Sequence, residues 1–346
     1  MDFSLSVAQA LLAEPHLAVR LCAPGRLHLG FLDPAGSLGR RFGSLGLVID
    51  GFETEIELGA SPADRVSACS VDARAEVERS AAYLNTLQRH TGLREPLYLK
   101  LVRVLPAHSG FGSGTQLALA IGRAFAQWHG LDVSTPELAQ WLGRGMRSGI
   151  GIAGFDQGGL LLDGGPGANG SPAPVLSRIA LPAAWRVLVV QDGTHQGLSG
   201  ADERQAIATL APLPQVVAAA ICHQVLMRVL PGAASAEFAP FAAGITGIQQ
   251  VLGDHFAPAQ GGRAFTSAAV GRLIEWIGSA DPLCARGQSS WGPTGFAIFP
   301  SQGRAQAVVD AARAANIIDA SVTVRIVSGR NSGATVSDQR GALRRV

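Results

Sequence analysis

The sequence predicts an α+β protein divided into two domains, and three observations carry this prediction. The chain has 346 residues, which is enough for two hydrophobic cores. Segments of alternating apolar residues, typical of strands, occur in both halves among segments with helical spacing. Residues 163–182 separate the halves with glycine and proline at the density of a linker. We therefore predict one domain over residues 1–175 and a second over residues 183–346.

The first half is expected to open with a sheet and to continue with helices. Alternation of apolar and polar residues predicts each strand, and apolar residues three or four positions apart predict each helix. The turn sequence Asp-Pro-Ala-Gly separates the first two strands. In chain order, the predicted elements are strands at 19–32 and 45–58, a solvated helix at 74–90, a strand at 97–101, a helix that ends near residue 129, and a helix from about Pro136 to Arg147.

The second half is expected to combine several helices with further strands, which is the α+β arrangement. Its helices are rich in alanine, and a polar glycine-rich loop precedes one of its strands. In chain order, the predicted elements are a strand at 185–191, helices at about 203–230 and 235–254, a loop and strand at 287–299, a helix at 302–316 and a strand at 321–328.

Bulk composition excludes several classes of protein. A net charge of +2, without any Lys/Arg run before Arg344 and Arg345, argues against a nucleic-acid partner. The first twenty residues hold no basic residue before Arg20, unlike a signal peptide, and are too short to span a bilayer. Four cysteines without a C-x-x-C pair fit free thiols in a reducing compartment. We expect a cytoplasmic protein that binds neither nucleic acid nor membrane.

A glycine-rich segment from Pro106 to Gln116 lies between a predicted strand and a predicted helix. Glycines at the start of a helix let backbone N–H groups approach an anion, and the helix dipole favours negative charge there. Gly114 is followed by Thr115, where a P-loop has lysine, and Lys100 is the only lysine of the chain. The segment therefore predicts a phosphate site assisted by arginine. The alternative is an ordinary glycine-rich turn before a buried helix.

Two pairs of side chains outside that segment are candidates for chemistry. Arg26 and His28 are two residues apart on a predicted strand, so they share one face and can form an anion site. Asp192 and His195 follow a buried strand and precede a glycine, a position that packing explains poorly. The structural alternative for His28 is an ordinary core histidine.

A second glycine-rich stretch at 148–165 carries Asp156 and Asp163. Carboxylate oxygens are the ligands that Mg²⁺ takes from proteins, so both residues are candidate metal ligands. Asp163 lies in an Asp-Gly-Gly sequence, which is typical of a turn, and a structural role is its alternative.

Several motifs together resemble a known group of enzymes. The sequence Ala-Pro-Gly-Arg at 23–26, the glycine-rich loop and a late Gly-Pro-Thr resemble the GHMP kinase superfamily. Within it, the chain is most similar to the β-ribofuranosylaminobenzene 5′-phosphate synthases, whose blocks it carries in order over most of its length. Those blocks are Arg26–Asp33 followed by Gly36–Arg40, His108–Gln116, Ser148–Gly165, Asp192–Glu203 and Gly287–Thr294.

The resemblance implies a fold and a reaction. The N-terminal half is expected to resemble the second domain of ribosomal protein S5, and the C-terminal half to be ferredoxin-like, with the phosphate site between them. The implied enzyme is a pentosyltransferase that joins 5-phosphoribosyl 1-diphosphate to 4-aminobenzoate or 4-hydroxybenzoate. A C-riboside forms while carbon dioxide and pyrophosphate leave, on the way to tetrahydromethanopterin-type cofactors. The resemblance also implies a homodimer and a substrate-associated Mg²⁺ ion.

Residue roles follow from the motifs and the resemblance together. The predicted roles are catalytic for Arg26, His28, Asp192 and His195; phosphate-binding for His108, Ser109, Gly110, Gly112, Ser113, Gly114, Thr115 and Gln116; substrate-binding for Asp33, Arg40, Ser199, Gln288, Ser289 and Ser290; and metal-binding for Asp156 and Asp163.

Two other functions stay open at this point. The first is an ATP-dependent small-molecule kinase of the same superfamily. Such kinases usually have lysine where this chain has Arg26 and a Gly-Glu pair where it has Gly30 and Phe31, so the residues favour the transferase. The second is a non-catalytic nucleotide-binding regulator, which need not keep polar residues such as His28 and Asp192. The sequence leaves the choice between the amine and the phenol substrate open.

Overall fold

The structure, a computed structural model, describes residues 17–168, 170–197, 205–206 and 208–340. The predicted α+β class is confirmed, because helices pack on sheets whose strand pairs are mostly antiparallel in this part of the chain. Its strands form two sheets: β1 Leu17–Asp33, β2 Phe42–Ala60, β3 Arg65–Ala68, β4 Leu97–Arg103, β5 Leu160–Asp163, β6 Val175–Ile179, β7 Arg186–Asp192, β8 Ala285–Gln288, β9 Thr294–Phe299, β10 Val322–Ser328 and β11 Thr335–Asp338.

Helices cover both sheets. A π-helical segment, Val225–Val229, joins two of them, and a short 3₁₀ segment, Ala257–Gln260, follows another. The α-helices are α1 Val71–Ala75, α2 Val77–Thr91, α3 Ser113–His129, α4 Thr135–Trp141, α5 Ile150–Gln157, α6 Gln215–Gln224, α7 Leu230–Ala234, α8 Phe238–Phe256, α9 Ala268–Ala280 and α10 Gln302–Ala314.

The first sheet is built on the long antiparallel pair of β1 and β2. Its order is β11-β1-β2-β4-β3, and β5 pairs with β2 and with β6. The 19 residues of β2 are long enough to pair with β4 at one end and with β5 at the other. The predicted apolar face of α3, with Leu117, Ile121 and Phe125 buried, packs against this sheet in a core shared with α2 and α4.

The second sheet has the order β10-β7-β9-β8. Helices α9 and α10 pack on one side of it, with buried Val270, Ile274 and Val308. Helices α6 to α8 lie between the two sheets in one continuous core, to which β1 contributes Leu27 and β9 contributes Phe296. The two halves of the chain therefore share a buried interface.

Four details of the predicted local structure need correction. The helix predicted at about 203–230 is interrupted at residues 210–214, where Pro212 and Pro214 lie, and a helix begins at Gln215. The helix expected to reach Arg147 ends at Trp141, because Gly143 and Gly145 have positive φ angles of 66° and 80°. A helix at Ala268–Ala280 was not predicted. After the predicted strand at 321–328, the structure adds a strand that was not predicted, Thr335–Asp338, which pairs with β1 of the first sheet. The predicted division into 1–175 and 183–346 stays a prediction, and sheet pairing crosses it.

One stretch among the described residues, Gln215–Ala234, is long and apolar enough to cross a bilayer by length and composition alone. About a third of it, 33%, is buried. Core helices of water-soluble proteins pass the same test, and this stretch contributes Ile221 and Val225 to the core between the sheets. It carries no conclusion about a membrane.

Candidate active site

The glycine-rich loop between β4 and α3 is anchored by an aromatic side chain. Phe111 is fully buried and stacks on Phe52, with ring centroids 4.6 Å apart. On either side of this anchor the backbone turns through the left-handed region, at Gly110 with φ 88° and at Gly112 with φ 74°. Only glycine adopts such angles without strain, which explains the alternation of glycines around one apolar residue. The buried ring and the two glycine turns together fix the shape of the loop.

The first turn of α3 presents free backbone donors. Thr115 and Gln116 donate their N–H groups back to the carbonyl of Gly112. Within the part of the chain that the structure describes, the N–H groups of Ser113 and Gly114 have no protein acceptor. With the positive end of the dipole of a 17-residue helix, they form an anion seat. We call this first turn, residues 112–116, the phosphate seat.

Arg26 lies against the phosphate seat. Its Nη1 donates to the carbonyl of Gly110 at 3.1 Å, and its backbone N–H donates to the carbonyl of Phe111 at 3.1 Å. A Cβ atom on Gly112 would lie only 3.0 Å from its Cζ atom. Position 112 therefore needs glycine for two reasons: a side chain would crowd the guanidinium group of Arg26, and the backbone angle is left-handed. The structure therefore places Arg26 in direct contact with the glycine-rich loop.

A second arginine, which sequence reasoning missed, flanks the same turn. A Cβ atom on Gly114 would lie 3.6 Å from both terminal nitrogens of Arg144. Arg144 donates to the hydroxyl of Tyr83 and lies over its ring, 5.4 Å from the centroid. Burial and the nearby charge of Arg79 lower the pKa of Arg144. A partly desolvated guanidinium beside a helix N-terminus is suited to an anionic ligand.

Arg147 is also close to the site, since its charge acts on His28. The signal that points to both arginines is the almost complete lack of lysine, which leaves arginine as the source of cationic contacts. Arg144 and Arg147 follow a short helix and lie among glycines, and these sequence positions do not show where their side chains point.

His28 is buried, with 3% of its surface exposed. Its Nδ1 accepts a hydrogen bond from the N–H of Gly30 at 3.3 Å, which assigns the proton of a neutral ring to Nε2. Burial, and then the charges of Arg26 and Arg147, hold the pKa of His28 well below its ordinary value. The ring is therefore neutral, and its buried Nε2 has no hydrogen-bond partner among the described residues.

The loop between β8 and β9 joins β1 to the glycine-rich loop. Ser289 Oγ accepts from the N–H of His28 at 2.9 Å and donates to the carbonyl of Gly110 at 2.7 Å. The N–H of Ser290 donates to the carbonyl of His28 at 3.3 Å. Gly292 packs so closely that a Cβ atom there would lie 2.5 Å from the nitrogen of Gly110. Three predicted blocks, far apart in sequence, thus meet at one point.

Gln288 is fully engaged with protein groups. Its Oε1 accepts from the N–H of Thr266 at 2.6 Å, and its Nε2 donates to Gln260 Oε1 and to the carbonyl of Ser290, each at 2.9 Å. These bonds show that Gln288 holds the loop in place. Its predicted contact with substrate stays a prediction.

Asp192 and His195 form a carboxylate–imidazole pair at the end of β7. Asp192 Oδ2 lies 2.9 Å from His195 Nδ1 and also accepts from Ser267 Oγ at 2.6 Å, while Oδ1 accepts from the N–H of Thr194 at 2.9 Å. The carboxylate is buried, whereas 53% of the His195 side chain is exposed. The aspartate fixes the ring and leaves Nε2 for another partner.

The surroundings of Asp192 favour the ionised form of its carboxyl group beside His195. Burial raises the pKa of Asp192, but hydrogen bonds from Ser267 and Thr194 and the charge of His195 outweigh it and bring the value to about 2. The segment is also tied to the glycine-rich loop, since the N–H of Gly197 donates to the carbonyl of His108 at 3.0 Å. The segment that follows the pair therefore contacts the glycine-rich loop that precedes the phosphate seat.

Asp163 has a different surrounding. Its carboxylate is fully buried and, among the described residues, accepts five hydrogen bonds from backbone N–H and hydroxyl donors. The donors are Ser44 N and Gly165 N on Oδ1, and Gly149 N, Ile150 N and Ser148 Oγ on Oδ2, at 2.8 to 3.2 Å. Asp163 thus closes the start of α5 and joins it to β2. This geometry supports its structural alternative over the predicted role as a metal ligand.

Other predicted residues lie apart from the seat or serve the fold. Asp156 accepts from Thr135 Oγ1 at 2.6 Å on the outer side of α5. Asp33 accepts from the N–H groups of Gly36 and Leu38 in the hairpin turn between β1 and β2. Arg40 is exposed in the same turn.

Within the loop, two predicted phosphate-binding side chains donate hydrogen bonds to protein carbonyl groups. Gln116 is buried and donates to the carbonyl of Gly151 on α5 at 2.9 Å, and Ser109 Oγ donates to the carbonyl of Ala107 at 3.2 Å. Ser113 and Thr115 remain half-buried on the seat. Ser199 lies outside the described residues.

Comparison with known proteins identifies the family of this chain. Residues 77–162 match the model of the GHMP kinases N terminal domain. The β-ribofuranosylphenol 5′-phosphate synthase of Archaeoglobus fulgidus is 32% identical over 296 residues, covering 82% of this chain and 88% of the relative. The synthase of Methanothermobacter thermautotrophicus is 30% identical, covering 90% of this chain and 96% of the relative. This chain belongs to the β-ribofuranosylphenol 5′-phosphate synthase family. The predicted family and the prediction of an enzyme are confirmed.

Solved structures show the fold of this synthase family member. Lactococcus lactis galactokinase superposes with a TM-score of 0.66 at 12% identity, covering 96% of this chain and 98% of that chain. Homoserine kinase from Cytophaga hutchinsonii superposes with a TM-score of 0.64 at 17% identity, covering 94% and 99%. The predicted GHMP kinase fold is confirmed.

A protein-held metal does not fit the side chains around the seat. Among the described residues, no group of three or more His, Cys, Asp and Glu side chains could hold a metal ion. Asp163 is occupied by five donors, and Asp156 lies on the outer side of α5. The described side chains around the seat therefore offer no set of protein ligands for a metal ion.

Proposed function

We propose that this enzyme is a decarboxylating phosphoribosyl transferase. It joins 5-phosphoribosyl 1-diphosphate to 4-hydroxybenzoate or 4-aminobenzoate. A bond forms between C1 of the ribose and the ring carbon that bears the carboxylate. The C1–oxygen bond to pyrophosphate breaks, and the carboxylate leaves as carbon dioxide, returning its bonding electrons to the ring. The product with the phenol is a β-ribofuranosylphenol 5′-phosphate, which is the compound in the names of the relatives.

The observation that carries the proposal is the phosphate seat flanked by two arginines. A Cβ atom on Gly112 would touch Arg26, and one on Gly114 would contact Arg144, so the guanidinium groups flank the free N–H groups of the first turn. Paired guanidinium groups suit a diphosphate leaving group, whose developing charge they stabilise. Arg26 stays protonated and is a poor proton shuttle, which disfavours the kinase.

The Asp192–His195 pair supplies the candidate proton acceptor. His195 is oriented through Nδ1, so its exposed Nε2 can take a proton from a hydroxyl group. We propose that Mg²⁺ enters with the diphosphate, that the enzyme works in the cytoplasm as a homodimer, and that its product leads to tetrahydromethanopterin-type cofactors.

The function is tested with carboxyl-labelled 4-hydroxybenzoate and 4-aminobenzoate, each with phosphoribosyl diphosphate, in magnesium and in excess chelator. We expect labelled carbon dioxide and pyrophosphate in equal amounts, and only with magnesium. ATP consumption without carbon dioxide release, on a panel of small alcohols, would support the kinase instead.

The two-arginine seat has its own test. Replacing Arg144 with methionine keeps its bulk over Tyr83 and removes its charge. We expect the KM for phosphoribosyl diphosphate to rise about tenfold or more, since a charge-assisted contact contributes about 1.5–3 kcal/mol. Arg123→Met is the control, because Arg123 binds the carbonyl of Val133 and the hydroxyl of Thr135 away from the seat. Equal KM values for the two variants would contradict the seat.

A further inference from the structure

A small cavity lies directly beside His28. It is lined by β1, by the end of α8, by the segment after α8 and by the loop after β8, and it opens to solvent. Its walls are apolar at Phe31, Leu252 and Phe256, and none of the described residues that line it is lysine, arginine, aspartate or glutamate. Its volume of about 30 Å³ has room for about two water-sized groups.

The cavity holds one unsatisfied buried donor. His28 is 97% buried and lines the cavity, and its Nε2 has no partner among the described residues. The tautomer fixed by Gly30 places a proton on Nε2, so the ring offers an N–H and needs an acceptor. Leaving such a donor buried and unpaired is costly, so the cavity is suited to a group that carries an oxygen acceptor.

The cavity also holds an acceptor with spare capacity. Gln249 lines it, and its Oε1 accepts one hydrogen bond, from the N–H of Gln288 at 2.7 Å. Its Nε2 is occupied by the carbonyl of Leu29 at 2.8 Å, which fixes the amide orientation. A carbonyl oxygen has two lone pairs, so Gln249 Oε1 can accept a second hydrogen bond. One donor and one acceptor together match a hydroxyl group.

We propose that this cavity receives the ring substituent opposite the carboxylate of the aromatic acid, and that His28 and Gln249 select a hydroxyl there over an amine. This inference rests on the proposed function. A phenol oxygen accepts from His28 Nε2 and donates to Gln249 Oε1. An aromatic amine presents two donors, so the N–H of His28 is left without an acceptor. The carboxylate itself is a poor occupant, since a buried anion without a cation in the walls is costly.

The experiment compares kcat/KM for 4-hydroxybenzoate and 4-aminobenzoate with saturating phosphoribosyl diphosphate. For the wild type we expect a preference for the hydroxyl acid of about tenfold to a hundredfold, from the 1–3 kcal/mol cost of an unpaired buried donor. His28→Phe removes the donor and keeps an aromatic ring, and we expect the preference to fall towards one. A preference that is unchanged in His28→Phe, or absent in the wild type, would overturn the subsite.

A second variant guards against a folding defect at His28. Ala264 lines the cavity, so Ala264→Leu should narrow it and raise the KM for the aromatic acid at least fivefold, leaving the KM for phosphoribosyl diphosphate unchanged. Ala259→Leu, on the neighbouring 3₁₀ segment and outside the cavity wall, should change neither KM. If Ala264→Leu and Ala259→Leu behave alike, water is the occupant of the cavity and the subsite is wrong. A wild type that decarboxylates neither acid would overturn the function itself.

Discussion

Two glycine-rich segments of this enzyme each bury an aspartate, and the two carboxylates serve different ends. Asp163 accepts five hydrogen bonds from backbone N–H and hydroxyl donors, including one from Ser44 of β2. Asp192 is almost as buried, but one of its oxygens is shared with the half-exposed ring of His195. The carboxylate of Asp163 pairs with buried backbone donors and so stabilises the fold. The carboxylate of Asp192 orients the ring of His195, which is exposed to solvent. Burial by itself does not separate a structural from a functional aspartate; the partners do.

The largest effect is expected at the Asp192–His195 pair. Asp192→Asn removes the acceptor that orients His195, and we expect kcat to fall about a hundredfold or more, the range of a lost general base. We expect His195→Ala to lower kcat as much as Asp192→Asn does. The double variant should lower kcat no further, because the two residues act as one unit. The measurement is single-turnover release of carbon dioxide. Thr194→Val, which removes a hydroxyl bonded to Asp192 Oδ1, serves as control and should stay within about fivefold.

The opposite outcome is expected at Asp163. Asp163→Asn places an amide N–H₂ among donors, so we expect the free energy of unfolding to fall by about 3 kcal/mol. Below its melting temperature the variant should keep kcat within about threefold, because Asp163 touches no predicted reacting group. Urea unfolding and single-turnover kinetics on the same sample check both parts. A normal unfolding curve with lost activity would return Asp163 to the metal-binding role.

The smallest effect concerns pH. The pKa of Asp192 is about 2 in the folded enzyme, below its ordinary value of 3.8, so its contribution to stability is present above pH 4 and is lost as the pH falls towards 2. Burial raises the pKa of Asp163, so the stability associated with its protonated form is lost as the pH rises above 3.8.

Unfolding titrations between pH 2 and pH 6 check these signs. Asp192→Asn should lose less stability than the wild type between pH 4 and pH 2. Asp163→Asn should lack the decline that Asp163 contributes above pH 3.8. Parallel pH curves for the wild type and both variants would contradict the contrast between the two aspartates.

Local sequence determined much of this enzyme. Alternation over residues 19–32 predicted β1, and the spacing of Leu117, Ile121 and Phe125 predicted the buried face of α3, because both patterns repeat within a few residues. The glycines at 110 and 112 predicted the loop, since only glycine accepts its backbone angles without strain. The family motifs led to the prediction that Arg26, Ser289 and Asp192 belong to one site.

Tertiary structure alone decided the contacts between distant parts of the chain. The N–H of Ser44 binds Asp163 across 119 residues, and the N–H of His28 binds Ser289 across 261. Arg144 follows the end of α4 and lies beside Gly114 of the phosphate seat, 30 residues earlier in the chain. Such partners depend on how sheets and helices pack, and no periodicity of the sequence records that packing. Sequence therefore fixes which residue types are available, while packing fixes which of their hydrogen bonds remain free for a ligand.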